Sequence, residues 1–237
     1  MDARAKVNPS TAPLVIAGHA VRGAIVDLDG TMVDTLGDLH AAVNATMQQL
    51  GLPPLTREQV EHRIGKGSEY LVLQSLKLHL DEARAQSLYP EALALYLKLY
   101  GELNGQHADP FPGVAEGVAA LHAAGLKLAC ATNKPTDLAR QLLQMKGLLR
   151  YFDWVNGGDA FPRKKPDPMP LVETCKHLGL PPAQVLMIGD SQNDALAARA
   201  AGCPVALVTY GYNHGEPVRE VGADAFVDRI GDLLTTR

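Results

Sequence analysis

Residues 24–35, AIVDLDGTMVDT, decide how the rest of the chain is read. Residues 24–28 read as a strand, which ends in Asp27, Asp29 and Asp34 with Gly30 and Thr31 as turn chemistry. Two acids two residues apart project to the same side of an extended chain, where their charges repel and burial penalises both. A plain Asp-Gly turn accounts for Asp29 and Gly30 but leaves Asp27 unexplained, so the pair points to chemistry compensated from elsewhere in the chain.

Downstream, short apolar runs at 127–132, 154–156, 185–189, 205–209 and 225–227 alternate with helical patterns such as 113–124 and 194–201. The runs are continuously apolar, as parallel strands covered on both faces must be, and Gly125 and Gly202 stand where helices end. This predicts an α/β fold built on a doubly wound parallel sheet. One segment breaks the alternation. Leu36, Leu39, Val43, Met47 and Leu50 recur at helical spacing, Thr56 and Gln59 form a capping-box pair, Gly65 and Gly67 punctuate, and 81–103 is a long Ala/Leu-rich helix. The expected organisation is an N-terminal extension over 1–20, a sheet-bearing core over 21–33 and 109–237, and an inserted all-helical unit over 34–108.

The 237 residues suffice for one core and a small second unit, and 46% hydrophobic with 20% charged residues excludes disordered and fibrous classes. A net charge of −4 argues against a nucleic-acid partner, which calls for a basic face. No run approaches the ~18 apolar residues of a membrane span, and the patch at 14–17 is too short for a signal peptide. Cys130, Cys175 and Cys203 are scattered without metal-ligand spacing, which predicts a reducing, cytoplasmic location. No coiled-coil seam or sustained apolar stripe chooses between monomer and homodimer.

Ligands of open α/β sheets bind beyond the carboxyl ends of the strands. There the sequence offers Asp27 and Asp29, then Thr132 and Asn133, then Lys164 and Lys165 of RKKPDP, then Asp190, Ser191 and Asp194 of GDSQND. Acids, a hydroxyl and a lysine from four separate places suit a divalent cation and a phosphoryl group.

Taken together, DLDGT with its following DT, ATNK, KKPDP and GDSQND resemble, in order, the four motifs of the haloacid dehalogenase superfamily of phosphatases, from about residue 22 onward. The resemblance implies a Rossmann-like core with a C1-type helical cap. DTLGDL, IGKGS and PFPGV resemble the phosphoglycolate phosphatase branch, which implies hydrolysis of a small phosphorylated substrate such as 2-phosphoglycolate. Carried over by position, the resemblance makes Asp27 the nucleophile and Asp29 the general acid and base. It makes Thr132, Asn133 and Lys165 the phosphate-binding groups, with Gly65 and Lys66 of the cap loop facing the substrate. Mg²⁺ would be held by Asp27, the Asp29 carbonyl and Asp190, with Asp194 and Ser191 behind them.

Plainer readings stand beside these. Asp34 reads equally as an acid at a helix start, Ser191 with Asp194 as a capping box, Lys164 as a solvated neighbour, Trp154 as packing, and the histidines as structural. A sugar-phosphate mutase of the β-phosphoglucomutase kind is a rival, although the position where such mutases carry a histidine is Leu39 here, with His40 one residue late. A broad-specificity nucleotide or sugar phosphatase is a second. A metal-free dehalogenase fits poorly with Asp29 and the GDSQND acids. The non-enzyme rival, a phosphate-sensing receiver-like domain, needs no cap.

Overall fold

Successive side chains of the first core strand are apolar on both sides, and both are buried. Ala24 and Val26 pack into one apolar cluster with Leu128, Cys130 and Ile188, whereas Ile25 faces a second with Ala129, Met187 and Leu207. That is why the strands lack alternation: helices cover each face of the sheet.

The computed structural model describes residues 14–235. In chain order come β1 (Leu14–Ile16), β2 (His19–Val21), β3 (Gly23–Val26), β4 (Val33–Asp34), α1 (Leu36–Gln49), α2 (Arg57–Glu61), α3 (Ser68–Leu76) and α4 (Glu82–Leu103). There follow β5 (Asp109–Pro110), α5 (Val114–Ala123), β6 (Lys127–Ala131), α6 (Thr136–Met145), β7 (Trp154–Asn156), α7 (Met169–Leu178), β8 (Val185–Gly189), α8 (Gln192–Ala201), β9 (Val205–Val208) and β10 (Ala225–Val227). Six strands form one parallel sheet in the order β10-β9-β8-β3-β6-β7. β3 and β8 are adjacent, which brings the DLDGT and GDSQND turns side by side.

The helices of 36–103 close their own apolar cluster, in which Leu39, Val43 and Met47 of α1 meet Tyr96 and Tyr100 of α4. The two chain connections to this helical unit run antiparallel as β4 and β5, Val33 opposite Pro110 and Asp34 opposite Asp109. Thr56 and Gln59 make the reciprocal cap that starts α2.

Two differences from the sequence expectations have local causes. Residues 14–20, read as part of a loose extension, belong to a hairpin: β1 pairs with β2 around Ala17 and Gly18, both at positive φ (52° and 78°), and Ile16 and Val21 are buried. Residues 1–13 of that extension lie outside the described residues. Leu28, Thr132 and Thr209 fall just beyond their strands. The Leu28 carbonyl serves the turn instead, accepting from the amides of Thr31, Met32 and Val33. Trp154 packs as expected, half-buried against the core and stacked on His177 at 3.8 Å between ring centroids. No helix among the described residues is long and apolar enough to cross a membrane.

Candidate active site

The two acidic turns are shaped by glycines that tolerate no side chain. Gly30 has φ 85°, and a Cβ there would stand 2.3 Å from Asp190 Oδ2; one on Gly211 would stand 2.1 Å from the Asp190 Cβ. Asp190 is thus seated in a glycine cradle, where the Thr31 hydroxyl donates to Oδ1 at 2.9 Å and the Tyr212 amide to Oδ2 at 2.8 Å. Asp27 leaves β3 with its own amide still donating to the Ile188 carbonyl at 2.9 Å, so the sheet fixes its position.

Lys165 supplies the compensating charge. Its Nζ is 2.9 Å from Asp27 Oδ1 and donates to Asp194 Oδ1 at 2.7 Å. Asp194 Oδ2 accepts from the Ser191 hydroxyl at 2.9 Å and from the amides of Asp190 and Ser191 at 3.2 Å. The capping box that starts α8 and the grip on Lys165 are therefore two edges of one carboxylate.

One ammonium does not balance this site. Oxygens of Asp27, Asp190 and Asp194, all buried, lie within 4.8 Å of one another. Burial pushes the Asp27 carboxyl up to about 7, against the pull of Lys165, and burial with the neighbouring Asp194 and Asp27 charges raises Asp190 well above the usual carboxylate range. Lys165 is held above its ordinary value, because the attraction of Asp194 and Asp27 outweighs its own desolvation. An all-oxygen, doubly under-compensated cluster is what a hard divalent cation such as Mg²⁺ fits, and a bound cation would reverse the upward pressure on both carboxyls.

Beside the acids is a narrow cleft, open to solvent at its mouth, between the sheet ends and the helical unit. Asp27, Asp29, Thr132 and Asn133 line the core side. From the helical side come Gly65 and Gly67, and the Gly65 carbonyl accepts from Asn133 Nδ2 at 2.8 Å and Asn193 Nδ2 at 3.2 Å. Lys66 lies over the Tyr70 ring at 5.0 Å. Lys164, read as a solvated neighbour, donates to Glu69 of α3 at 2.7 Å.

Four site groups have no local sequence signal. Lys134 directly follows Thr132 and Asn133, and its buried ammonium contacts Tyr100 and stands 3.6 Å from Asp29 Oδ1. Tyr96 lines the cavity. The Tyr212 hydroxyl accepts from the amides of Thr35 and Leu36 at 2.9 and 3.1 Å and donates to Asp34, so it starts α1 while its own amide holds Asp190. His214 touches Asn193 at 3.3 Å. Asp34 accepts from Leu36, as an acid at a helix start does.

The family model for haloacid dehalogenase-like hydrolases matches residues 24–208. The chain belongs to that family. Among curated relatives of this hydrolase, a phosphoglycolate phosphatase of Thiobacillus denitrificans is 43% identical over 92% of the chain and 96% of its own length. One of Nitrosospira multiformis is 44% identical over 89% and 92%. A crystal structure of a predicted phosphoglycolate phosphatase from Haemophilus somnus superposes with a TM-score of 0.84 at 34% identity, covering 91% of this chain and 97% of that one.

Proposed function

We propose that this hydrolase is a Mg²⁺-dependent phosphatase that acts through an aspartyl-phosphate on a small phosphorylated acid, with 2-phosphoglycolate the leading substrate. The reading is carried by the convergence of Asp27, Asp190 and Asp194 at the carboxyl ends of the strands, with the single ammonium of Lys165 against Asp27 and Asp194. The names of the curated relatives support the substrate class.

Asp27, held by Lys165, attacks phosphorus, and the bond to the ester oxygen breaks while Asp29 donates a proton to that oxygen. Asp29 then removes a proton from the water that attacks the aspartyl-phosphate, which regenerates Asp27 and frees phosphate. Lys165 and Thr132 would meet the oxygens of the transferring group, and Asp194 keeps Lys165 pointed there. The groups that would hold Mg²⁺ are Asp27, Asp190 and the Asp29 carbonyl; the ion supplies positive charge against the phosphoryl oxygens. The cap loop over the cavity would keep bulk water out during transfer.

A mutase reading finds no support around Asp29. Leu39 lines the cavity, whereas the His40 ring is engaged by the Leu55 carbonyl at 3.1 Å and by Asn44.

Phosphate release from 2-phosphoglycolate should require Mg²⁺, vanish with EDTA, and fall at least about a thousandfold in Asp27→Asn. Undiminished turnover in that variant would sink the mechanism.

A further inference from the structure

Around Asp29 the cavity wall carries buried polar atoms without a hydrogen-bond partner among the described residues, and two of them, on Tyr96 and Arg63, are donors. The Lys134 side chain is 1% exposed and Tyr96 is fully buried. Lys134 touches one hydroxyl, that of Tyr100, whose ring also lies 4.2 Å beneath the ammonium. Its carboxylate neighbour, Asp29, is at 3.6 Å, beyond a good hydrogen bond. Tyr96 stacks on Tyr100 at 5.3 Å, beside Ser68, and its hydroxyl makes no hydrogen bond among the described residues. Arg63 adds a third donor, a buried Nε without a partner. Buried donors left without acceptors are costly, and a lysine is rarely buried unless something answers its charge. Leu39, Ile64 and Leu71 complete the wall with apolar surface.

We propose that Lys134, braced by Tyr100 and joined by the Tyr96 hydroxyl, is a second anion subsite that binds a carboxylate on the leaving-group side of the substrate. The inference rests on the phosphatase reading above and assigns its specificity to these residues. Asp29 would stand at the ester oxygen, so an anion bound to a cation 3.6 Å from Asp29 belongs on the carbon next to the ester carbon. That describes a 2-phosphorylated short carboxylic acid. Its carboxylate satisfies Lys134 and Tyr96 together, whereas a neutral hydroxymethyl group in its place leaves the ammonium only the Asp29 carboxylate at 3.6 Å and brings Tyr96 no anion.

The test compares 2-phosphoglycolate with 2-hydroxyethyl phosphate, which has similar size and no carboxylate. Wild-type kcat/KM should favour the acid by about a hundredfold or more. In Lys134→Met the acid should lose at least about thirtyfold more kcat/KM than the neutral ester does, and in Tyr96→Phe the preference should shrink about three- to tenfold. A readout without turnover accompanies these. In Asp27→Asn, 2-phosphoglycolate should raise Tm more than the neutral ester does, and adding Lys134→Met should erase the difference. Equal losses for both esters in Lys134→Met would overturn the subsite and make Lys134 a positioning residue for Asp29. A wild type with no preference between the two esters would also overturn it. A wild type that turns over neither ester would remove the phosphatase reading itself, an outcome distinct from both.

Discussion

Asp224 accepts hydrogen bonds from the Arg199 guanidinium at 2.9 and 2.8 Å and from the Val205 amide at 2.8 Å, and so ties α8 to the start of β9. Burial works against its charge, but those hydrogen bonds prevail and hold the carboxyl below the usual 3.8. A depressed folded pKa means that the stabilisation is complete above the unfolded value and disappears as pH falls through the folded one. Asp224→Asn should therefore melt about 2–4 °C lower at neutral pH, corresponding to about 1 kcal/mol for a partly exposed pair. Thermal melts down to about pH 2.5 should show the gap closing, since both proteins then lack the charge. A deficit independent of pH would assign the effect to packing. Asp224 has no motif around it. Asp27, Asp29 and Asp190 were legible because each follows a strand in a dense local pattern, and Lys165 because KKPDP is itself a dense pattern. Lys134 stood in plain view in ATNK, yet its neighbours Tyr100 and Asp29 are 34 and 105 positions away, and nothing local marks such a contact.

At the scale of elements, hydrophobic period did most of the predicting. In the central sheet β3, β6, β8 and β9, at four or five residues, are long enough to show a continuous apolar run, the three-residue β7 and β10 are marked by their place in the strand–helix alternation, and α1 and α4 are long enough to show a stripe. The hairpin of β1 and β2 offers three residues a strand, and β4 with β5 only two, too few for any period to emerge. That smallest sheet nevertheless joins the helical unit to the core, and a buried carboxylate clasps it. Asp38 Oδ2 accepts from the Gly105 amide at 2.6 Å and Oδ1 from the His107 amide at 2.7 Å, binding the start of α1 to the segment that leaves α4. Asp38→Ala orphans both amides and should cost about 2–4 kcal/mol in urea unfolding, and Asp38→Asn, which keeps one acceptor, roughly half of that. A loss below about 0.5 kcal/mol in the alanine variant would show that water replaces the clasp.

Across the whole molecule, polar contacts of long sequence reach join the helical unit to the core, two kinds of them at the face that borders the cavity. Lys164 pairs with Glu69, and the Gly65 carbonyl accepts from Asn133 and Asn193 across 68 and 128 positions. The two kinds of contact differ in weight. The Lys164 ion pair has side chains 30% and 53% exposed, where solvent and salt screen most of its attraction. The Asn193 bond is partly buried and reaches the loop that borders the cavity. Removing one such bond weakens the arrangement in which loop and core turns surround the substrate, at about 0.5–1.5 kcal/mol. Asn193→Ala should accordingly raise KM for 2-phosphoglycolate about two- to tenfold with Tm nearly unchanged. Lys164→Ala should leave KM within about twofold, with no added sensitivity to salt. If the order were reversed, with Lys164 controlling KM and Asn193 silent, the loop would be held by long-range charge and not by its carbonyl. Raising the ionic strength would then loosen the wild-type enzyme as much as the lysine substitution does.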